Sequence, residues 1–363
     1  MQITHYCNSF ITATSGKTKI VCDPWVGFGE QNGWLSYPYH NNGVKLLNEL
    51  KPNYIYISHL HCDHFDTQNL KGYKNKKVTI IIKKFKDKRL KRKIEELGYK
   101  NILEIVSWKN YKLNNDFSVS IIPQITSNTS KLPEEINYDL DTSIIIKCNK
   151  SKEVFFNAVD NPLSVKDLKK VSNFIKKNYK KNVDVMCMPV GAAGEYPQCF
   201  LNLNRKNEKN KIIKKGLNEL KKQINVIKPN VYFPAGGTYY IFGKFSNLNS
   251  FIARPDFFEI RKKFKNDNIE LINLEGGNTL FKNDYQWKLI LNKKKFEHKN
   301  SVILKYLKAK YFYNKKKITK FNTKYLAKIF DKSKNNYFRI LGNFKIKTNW
   351  KVEFMIYKNL RLK

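Results

Sequence analysis

Histidine and acidic residues are scarce in this chain, and the missing features already argue against several classes of protein. Only 6 of the 363 residues are histidine, and 30 Asp and Glu stand against 69 Lys and Arg. No apolar run approaches twenty residues, and residues 1–6 show no basic segment leading into an apolar one. These absences argue against a membrane-spanning or secreted form and favour a cytoplasmic protein.

The cysteines also lack a pattern. None of the six is part of a Cys-x-x-Cys pair. Neither a disulfide framework nor a structural zinc motif is indicated, and a reducing compartment fits best. The six cysteines are Cys7, Cys22, Cys62, Cys148, Cys187 and Cys199.

The net charge of +39 raises the question of an anionic partner. Lysines are spread along the whole chain among Asn, Ile, Tyr and Phe, a mixture that indicates solvated lysine faces. We therefore expect no specific nucleic-acid partner. A basic surface should still attract an anionic small molecule or glycan, such as a nucleotide sugar or a lipid-linked substrate. The oligomeric state stays open.

One octet carries the chemistry of this sequence: His59-Leu60-His61-Cys62-Asp63-His64-Phe65-Asp66, directly after the apolar run 54–57. Three of the six histidines lie here, which favours a metal site over a chance cluster or a hydrogen-bonded turn. Because side chains alternate along extended chain, His59 and His61 should face one side. Asp63 and His64 can then face a second ion, and Cys62 should point away.

The octet resembles the HxHxDHxD signature of the metallo-β-lactamase fold. Further motifs of this resemblance stand before and after the octet, in the order of the family, over about residues 1–285. The nearest resemblance is to the hydrolase-fold part of CMP-N-acetylneuraminate hydroxylase and its bacterial relatives. It implies an α/β (α+β) fold, a four-layer αββα sandwich. The motifs are Asp23-Pro24-Trp25, Gly33-Trp34, Asp141-Thr142, Asn157-Ala158-Val159-Asp160 and Gly191-Ala192-Ala193-Gly194.

The resemblance implies a ligand set. His59 and His61 would bind on one side, and Asp63, His64 and Asp160 on the other. Asp63 would also orient a metal-activated water or act as its base. One or two zinc ions are expected, although imidazole and carboxylate donors also suit Fe or Mn.

Three residues would support this set. Asp23 would lie beneath the metals, and Asp141 is a further candidate. Asn137 stands where the hydroxylase relatives carry a histidine. The sequence departs from the family because no histidine lies between His64 and His298. Five donors suffice for one firmly held ion and are marginal for two.

The remaining chain divides at a change in composition. Residues 1–290 should form the metallo-β-lactamase-like domain, and residues 291–363 a Lys-rich accessory segment of unknown role. Within the domain, apolar runs predict strands at 19–22, 78–82, 119–122, 143–146, 154–156 and 185–188. Helical spacing predicts helices around 44–50, 90–97 and 213–227, and Ser164 with Asp167 predicts a helix start.

Three functions remain open. The first is a metal-dependent hydrolase acting on an ester, phosphodiester or amide in an anionic substrate. The second is a component of sialic-acid or related sugar modification with a separate redox partner, since no Cys-x-His paired with Cys-x-x-His is present for a Rieske cluster. The third is a non-catalytic binding module with a degenerate metal site.

Overall fold

The computed structural model describes residues 1–29, 34–40, 42–125, 141–191, 194–241, 243–292 and 331. The chain separates into two compact units, 1–311 and 312–363. The predicted accessory segment lies almost entirely outside the described residues, so its boundary at 290/291 stays a prediction. No helix in the described ranges is both long and apolar enough to cross a membrane.

Strands form most of the described chain. In chain order they are β1 (Gln2–Cys7), β2 (Phe10–Ser15), β3 (Thr18–Cys22), β4 (Trp34–Ser36), β5 (Tyr54–Tyr56), β6 (Thr79–Lys83), β7 (Ile102–Ile105), β8 (Tyr111–Lys112), β9 (Phe117–Pro123), β10 (Thr142–Cys148), β11 (Val154–Asn157), β12 (Val185–Met188), β13 (Val231–Pro234), β14 (Tyr239–Ile241), β15 (Glu270–Leu271), β16 (Asn278–Asn283) and β17 (Gln286–Ile290).

Helices connect many of these strands. They are α1 (Gly43–Leu50), α2 (Thr67–Gly72), α3 (Arg89–Glu96), α4 (Val165–Tyr179), α5 (Arg205–Ile227) and α6 (Phe257–Lys263). A 3₁₀ helix spans Gly243–Phe251. These bounds confirm the helices predicted around 44–50 and 90–97 to within a turn, whereas the helix predicted from 213 begins eight residues earlier, at Arg205.

The strands assemble into two large sheets. The first has the order β17-β16-β1-β2-β3-β5-β6-β7, and the second β15-β13-β12-β11-β10-β9-β8. In each sheet the antiparallel hairpins give way to parallel strands, from β3 to β7 and from β11 to β15. Strands β4 and β14 form a separate antiparallel ribbon.

Four layers result from the way these elements bury their apolar faces. Side chains from both sheets, including Tyr56 and Phe155, form one buried cluster between them. Leu47 and Ile94 pack helices α1 and α3 on the outside of the first sheet. Helices α4, α5 and α6 cover the second sheet in the same way. The predicted αββα sandwich is confirmed.

Local sequence explains where the helices begin and which face they bury. Ser164 and Asp167 form the predicted capping box at the start of α4. In α5 the predicted apolar stripe is buried at Ile213, Leu220 and Ile224, whereas Leu217 is only partly buried. Burial of this stripe fixes α5 against the second sheet.

Candidate metal centre

The octet occupies the turn between strand β5 and helix α2. Beyond β5 the chain leaves the sheet, and a turn forms where the backbone N–H of His64 donates to the carbonyl of His61 at 3.0 Å. Asp66 is the N-cap of α2, and its side chain accepts from the N–H groups of Gln68 and Asn69. Asp66 is thus committed to the helix start, while the other acidic and imidazole groups of the octet face elsewhere.

His59 and His61 form the first donor group together with Asp141. Nε2 of His59 lies 2.8 Å from Nδ1 of His61 and 3.1 Å from Oδ1 of Asp141. The three ligand atoms lie within 4.8 Å of one another. Asp141 directly precedes β10, and the Thr142 hydroxyl donates to the carbonyl of Ser58 at 2.8 Å. That bond between the sheets brings Asp141 to the histidines.

Asp63, His64 and Asp160 form the second group, again with ligand atoms within 4.8 Å of one another. Nε2 of His64 lies 3.2 Å from Oδ2 of Asp160 and 3.5 Å from Oδ2 of Asp63. Gly236 lies close against this group. A Cβ added at position 236 would lie only 2.6 Å from Oδ1 of Asp160. Gly236 also has a φ of 92°, which favours glycine. Position 236 thus needs a glycine.

Asp23 lies beneath both groups and is fully buried. It accepts from the N–H of Ser58 at 2.8 Å and from the Ser58 hydroxyl at 2.7 Å, and it lies 2.9 Å from Nδ1 of His64. Since the Ser58 hydroxyl donates its proton to Asp23, it accepts from Nδ1–H of His59 at 2.9 Å. Both histidines are therefore held through Nδ1, and their Nε2 atoms face the donor groups.

The electrostatic environment suits a cation. Burial, assisted by the neighbouring imidazoles His64 and His61, lowers the pKa of His59 well below its usual value, so His59 stays neutral, as a ligand must. Burial also acts to lower the pKa of His64, but the carboxylates of Asp63, Asp160 and Asp23 outweigh burial and raise it well above its usual value. The carboxylates thus favour positive charge at this point.

A further observation indicates that these donor groups suit a metal ion. Oδ1 of Asp160 is buried and has no hydrogen-bond partner among the described residues. An unsatisfied buried carboxylate oxygen is costly unless a cation or water completes it. Two groups of three nitrogen and oxygen donors match the residue types that hold zinc, iron or manganese.

Most of the predicted site residues meet in this centre. His59, His61, Asp63, His64 and Asp160 fall into two groups, with Asp23 beneath them, and their role as metal ligands stays a prediction. Asp141, predicted only as a supporting residue, lies within the first group. Asn137 lies outside the described residues, as do Ala192 and Ala193 of the Gly191-Ala192-Ala193-Gly194 motif.

Sequence reasoning missed Asn8. Its side-chain N–H donates to Oδ2 of Asp63 at 3.2 Å, and its side-chain oxygen accepts from the N–H of Thr238 at 3.0 Å. Its carbonyl accepts from the N–H of Gly236 at 2.9 Å. Asn8 thus joins the first hairpin, the octet and the Gly236 turn. An asparagine in a tight turn carries no signal that would have revealed this role.

A cleft of about 650 Å³ opens directly onto the donor groups. His61, Asp63 and Asp160 form its floor. Tyr239 lines the cleft, whereas Tyr240 packs against Tyr37 on the other face of the β4–β14 ribbon. Cys62 lines a different, smaller cleft, in keeping with its predicted orientation away from the ions.

The fold and the donor groups define a metallo-β-lactamase-type sandwich with a candidate metal centre at the edge between its sheets. Residues 3–235 match the family described as the Beta-lactamase superfamily domain. The chain belongs to this family. The closer resemblance to CMP-N-acetylneuraminate hydroxylase stays a prediction.

Solved structures share the fold at low identity. A "possible metal-dependent hydrolase" from Veillonella parvula is 17% identical, with a TM-score of 0.54 over 77% of this chain and 98% of that one. An isothiocyanate hydrolase from Delia radicum gut bacteria is 14% identical, with a TM-score of 0.51 over 77% of this chain and 98% of that one.

A curated relative matches a shorter stretch. A Mycobacterium tuberculosis protein provisionally named a Rieske 2Fe-2S iron-sulfur protein is 30% identical over 125 residues. That stretch is 34% of this chain and 24% of the relative. The chain therefore matches about a quarter of the relative's length.

Proposed function

We propose that this protein is a metal-dependent hydrolase whose ions are held by His59, His61 and Asp141 on one side and by Asp63, His64 and Asp160 on the other. The buried Oδ1 of Asp160, which has no hydrogen-bond partner in the described chain, is the observation that carries the proposal. It lies in a group of three donors at the floor of an open cleft.

The missing later histidines do not prevent a two-ion site in this proposal. Asp141 supplies the third donor of the first group, so each group has three. Three protein donors leave coordination positions open for water and substrate, as in catalytic zinc sites. We propose zinc first, with Fe or Mn as alternatives, because carboxylate-rich sets of this kind also suit those metals.

When bound, a divalent ion lowers the pKa of coordinated water and polarises the scissile carbonyl or phosphoryl oxygen. The residues of the chain have two further roles. Asp63, on the cleft floor and oriented by Asn8, accepts a proton from the attacking water. Asp23 and Ser58 keep the two buried histidines in the tautomer that leaves Nε2 unprotonated toward the cleft.

The bond cleaved is proposed to be an ester, phosphodiester or amide. All three place negative charge on an oxygen during attack, which a cationic centre stabilises. The anionic substrate expected from the net charge stays a prediction.

Metal analysis tests the proposal. The full chain is purified without chelator, and bound Zn, Fe and Mn are measured by elemental analysis, alongside the double variant His61→Ala/Asp63→Ala. We expect at least one equivalent of metal in the natural protein and its loss in the double variant. The matched control is Asp66→Asn, which changes an octet carboxylate that caps a helix and should keep its metal. If the natural protein contains no metal, even after reconstitution, the hydrolase proposal is overturned.

A second candidate function is favoured by the curated relative with the Rieske name. In this reading the chain carries iron and works with a separate redox partner in sugar modification. Iron in place of zinc in the purified protein, with oxygen consumption only when an external electron donor is added, would support it. Zinc and hydrolysis without any donor would exclude it.

A further inference from the structure

The walls of the cleft are built from a ribbon whose side chains alternate. In the register of β4 and β14, Ile241 pairs with Trp34 and Tyr239 with Ser36. Because alternate residues share a face, Trp34, Tyr239 and Ile241 project to the same side, and all three line the cleft. The rings of Trp34 and Tyr239 meet edge to face at 5.6 Å. This wall is therefore apolar and rigid.

Beyond this ribbon the cleft has further apolar lining. Phe245 and Leu248 of the 3₁₀ helix line it together with Gln198 and Cys199. Immediately after Cys199 in the chain, Phe200 is 44% exposed and Leu201 is 77% exposed. Large apolar side chains thus continue from the cleft lining to the surface, as is common where an apolar ligand enters.

Charge in the cleft is the reverse of charge in the chain as a whole. Lys and Arg make up 69 of the 363 residues, yet the described residues that line the cleft include neither. The acidic and imidazole groups there are His61, the carboxylates of Asp63 and Asp160 on the floor, and Glu195 at the exposed edge. The nearby Arg254 donates to the carbonyl of Gly237 and does not line the cleft. Among the described lining residues, none is a Lys or Arg that could pair with an anion.

We infer that the cleft binds an uncharged aromatic or alkyl group, so that the substrate is a neutral hydrophobic ester or amide. This inference takes its reaction from the proposed function, but the binding it describes depends only on the cleft. It opposes the anionic class expected from the net charge, because in the described part of the chain no lysine or arginine lines the cleft where the substrate would sit.

Three uncleavable probes of the same size test the inference: 4-phenylbutanamide, 4-phenylbutyrate and 4-phenylbutylammonium. Their dissociation constants are measured by calorimetry on the full chain as purified and after removal of metal. We expect the neutral amide to bind at least tenfold more tightly than either charged probe in the metal-free protein. Its affinity should change less than threefold when metal is present. Tighter binding of either charged probe in the metal-free protein would overturn the inference.

Variants then locate the binding. Trp34→Ala and Tyr239→Ala should each weaken the amide at least fivefold, whereas Tyr239→Phe should keep its affinity because the ring remains. Tyr240→Ala is the matched control from the opposite face of the ribbon. Glu195→Lys should improve binding of 4-phenylbutyrate without changing that of the amide. Unchanged amide affinity in Trp34→Ala and Tyr239→Ala proteins with natural circular dichroism spectra would refute the inference.

The two proposals can fail separately. Amide binding by a protein that takes up no metal would leave the cleft inference standing and remove the hydrolase. Hydrolysis with metal bound, combined with tighter binding of 4-phenylbutyrate in the metal-free protein, would keep the hydrolase and refute the neutral substrate.

Discussion

Replacement of Asp23 by asparagine separates the support of the metal centre from its ligands. Asp23 touches no proposed ion, yet it accepts from both the N–H and the hydroxyl of Ser58 and from His64. Asparagine has the same shape, but one of its two terminal atoms becomes an NH₂ donor. If the amide oxygen keeps the bond to the Ser58 N–H, the amide NH₂ faces the Ser58 hydroxyl and Nδ1 of His64. Both of these groups donate to Asp23 in the natural protein. His64 must then place its proton on Nε2, the atom aimed at the second donor group.

The size of the effect follows from this tautomer. Loss of a partner that orients a metal-binding histidine typically costs ten- to a hundredfold in metal affinity, about 1.4–2.8 kcal/mol. The metal-free protein should also lose stability by about 3 kcal/mol, because Asp23 and His64 form a fully buried pair. Burial raises the pKa of Asp23, while His64 opposes this, so the pair stabilises the fold only when both members are present.

Competition against a chromophoric chelator measures the affinity, and thermal unfolding followed by circular dichroism measures the stability. Asp66→Asn is the control, because asparagine caps a helix as well as aspartate does and no loss of metal is expected. A twofold or smaller change in metal affinity for Asp23→Asn, in a protein with a natural spectrum, would show that Asp23 does not set the tautomer of His64.

Three further predictions concern the surroundings of the centre. Asn8→Asp keeps the acceptor for Thr238 but sets a carboxylate against Asp63, so denaturant unfolding of the metal-free protein at pH 7 should show a loss of about 1–3 kcal/mol; unchanged stability would contradict this. Gly236→Ala puts a Cβ against Asp160 at a φ of 92°, and chelator competition should show at least tenfold weaker metal binding. Burial lowers the pKa of His5 to about 4. Between pH 6.5 and 4, His5 therefore binds a proton in the unfolded chain but not in the folded protein. As the pH falls across this range, the free energy of unfolding should decrease by about 3 kcal/mol relative to the His5→Gln variant. Equal pH slopes for the two metal-free proteins would refute that assignment.

Much of the fold was predictable because its signals are local. Apolar runs marked strands such as β6, β10 and β12, and Ser164 with Asp167 marked a helix start. The pairing of His59 with His61, and of Asp63 with His64, follows from alternation and a turn within one short segment. The anionic substrate expected from the net charge stays a prediction, because charge on solvated faces carries no information about which side chains line a cleft.

The sequence alone thus determined the layers and singled out five candidate metal donors, since each depends on residues that are neighbours in the chain or on a resemblance carried by them. Only the tertiary structure decided what completes the centre. Asp141 reaches the histidines because a hydroxyl bond joins the two sheets, and Asn8 reaches Asp63 across 55 residues of chain. The cleft wall pairs β4 with β14, about two hundred residues apart, and such pairings depend on how the sheets close, which no local pattern encodes.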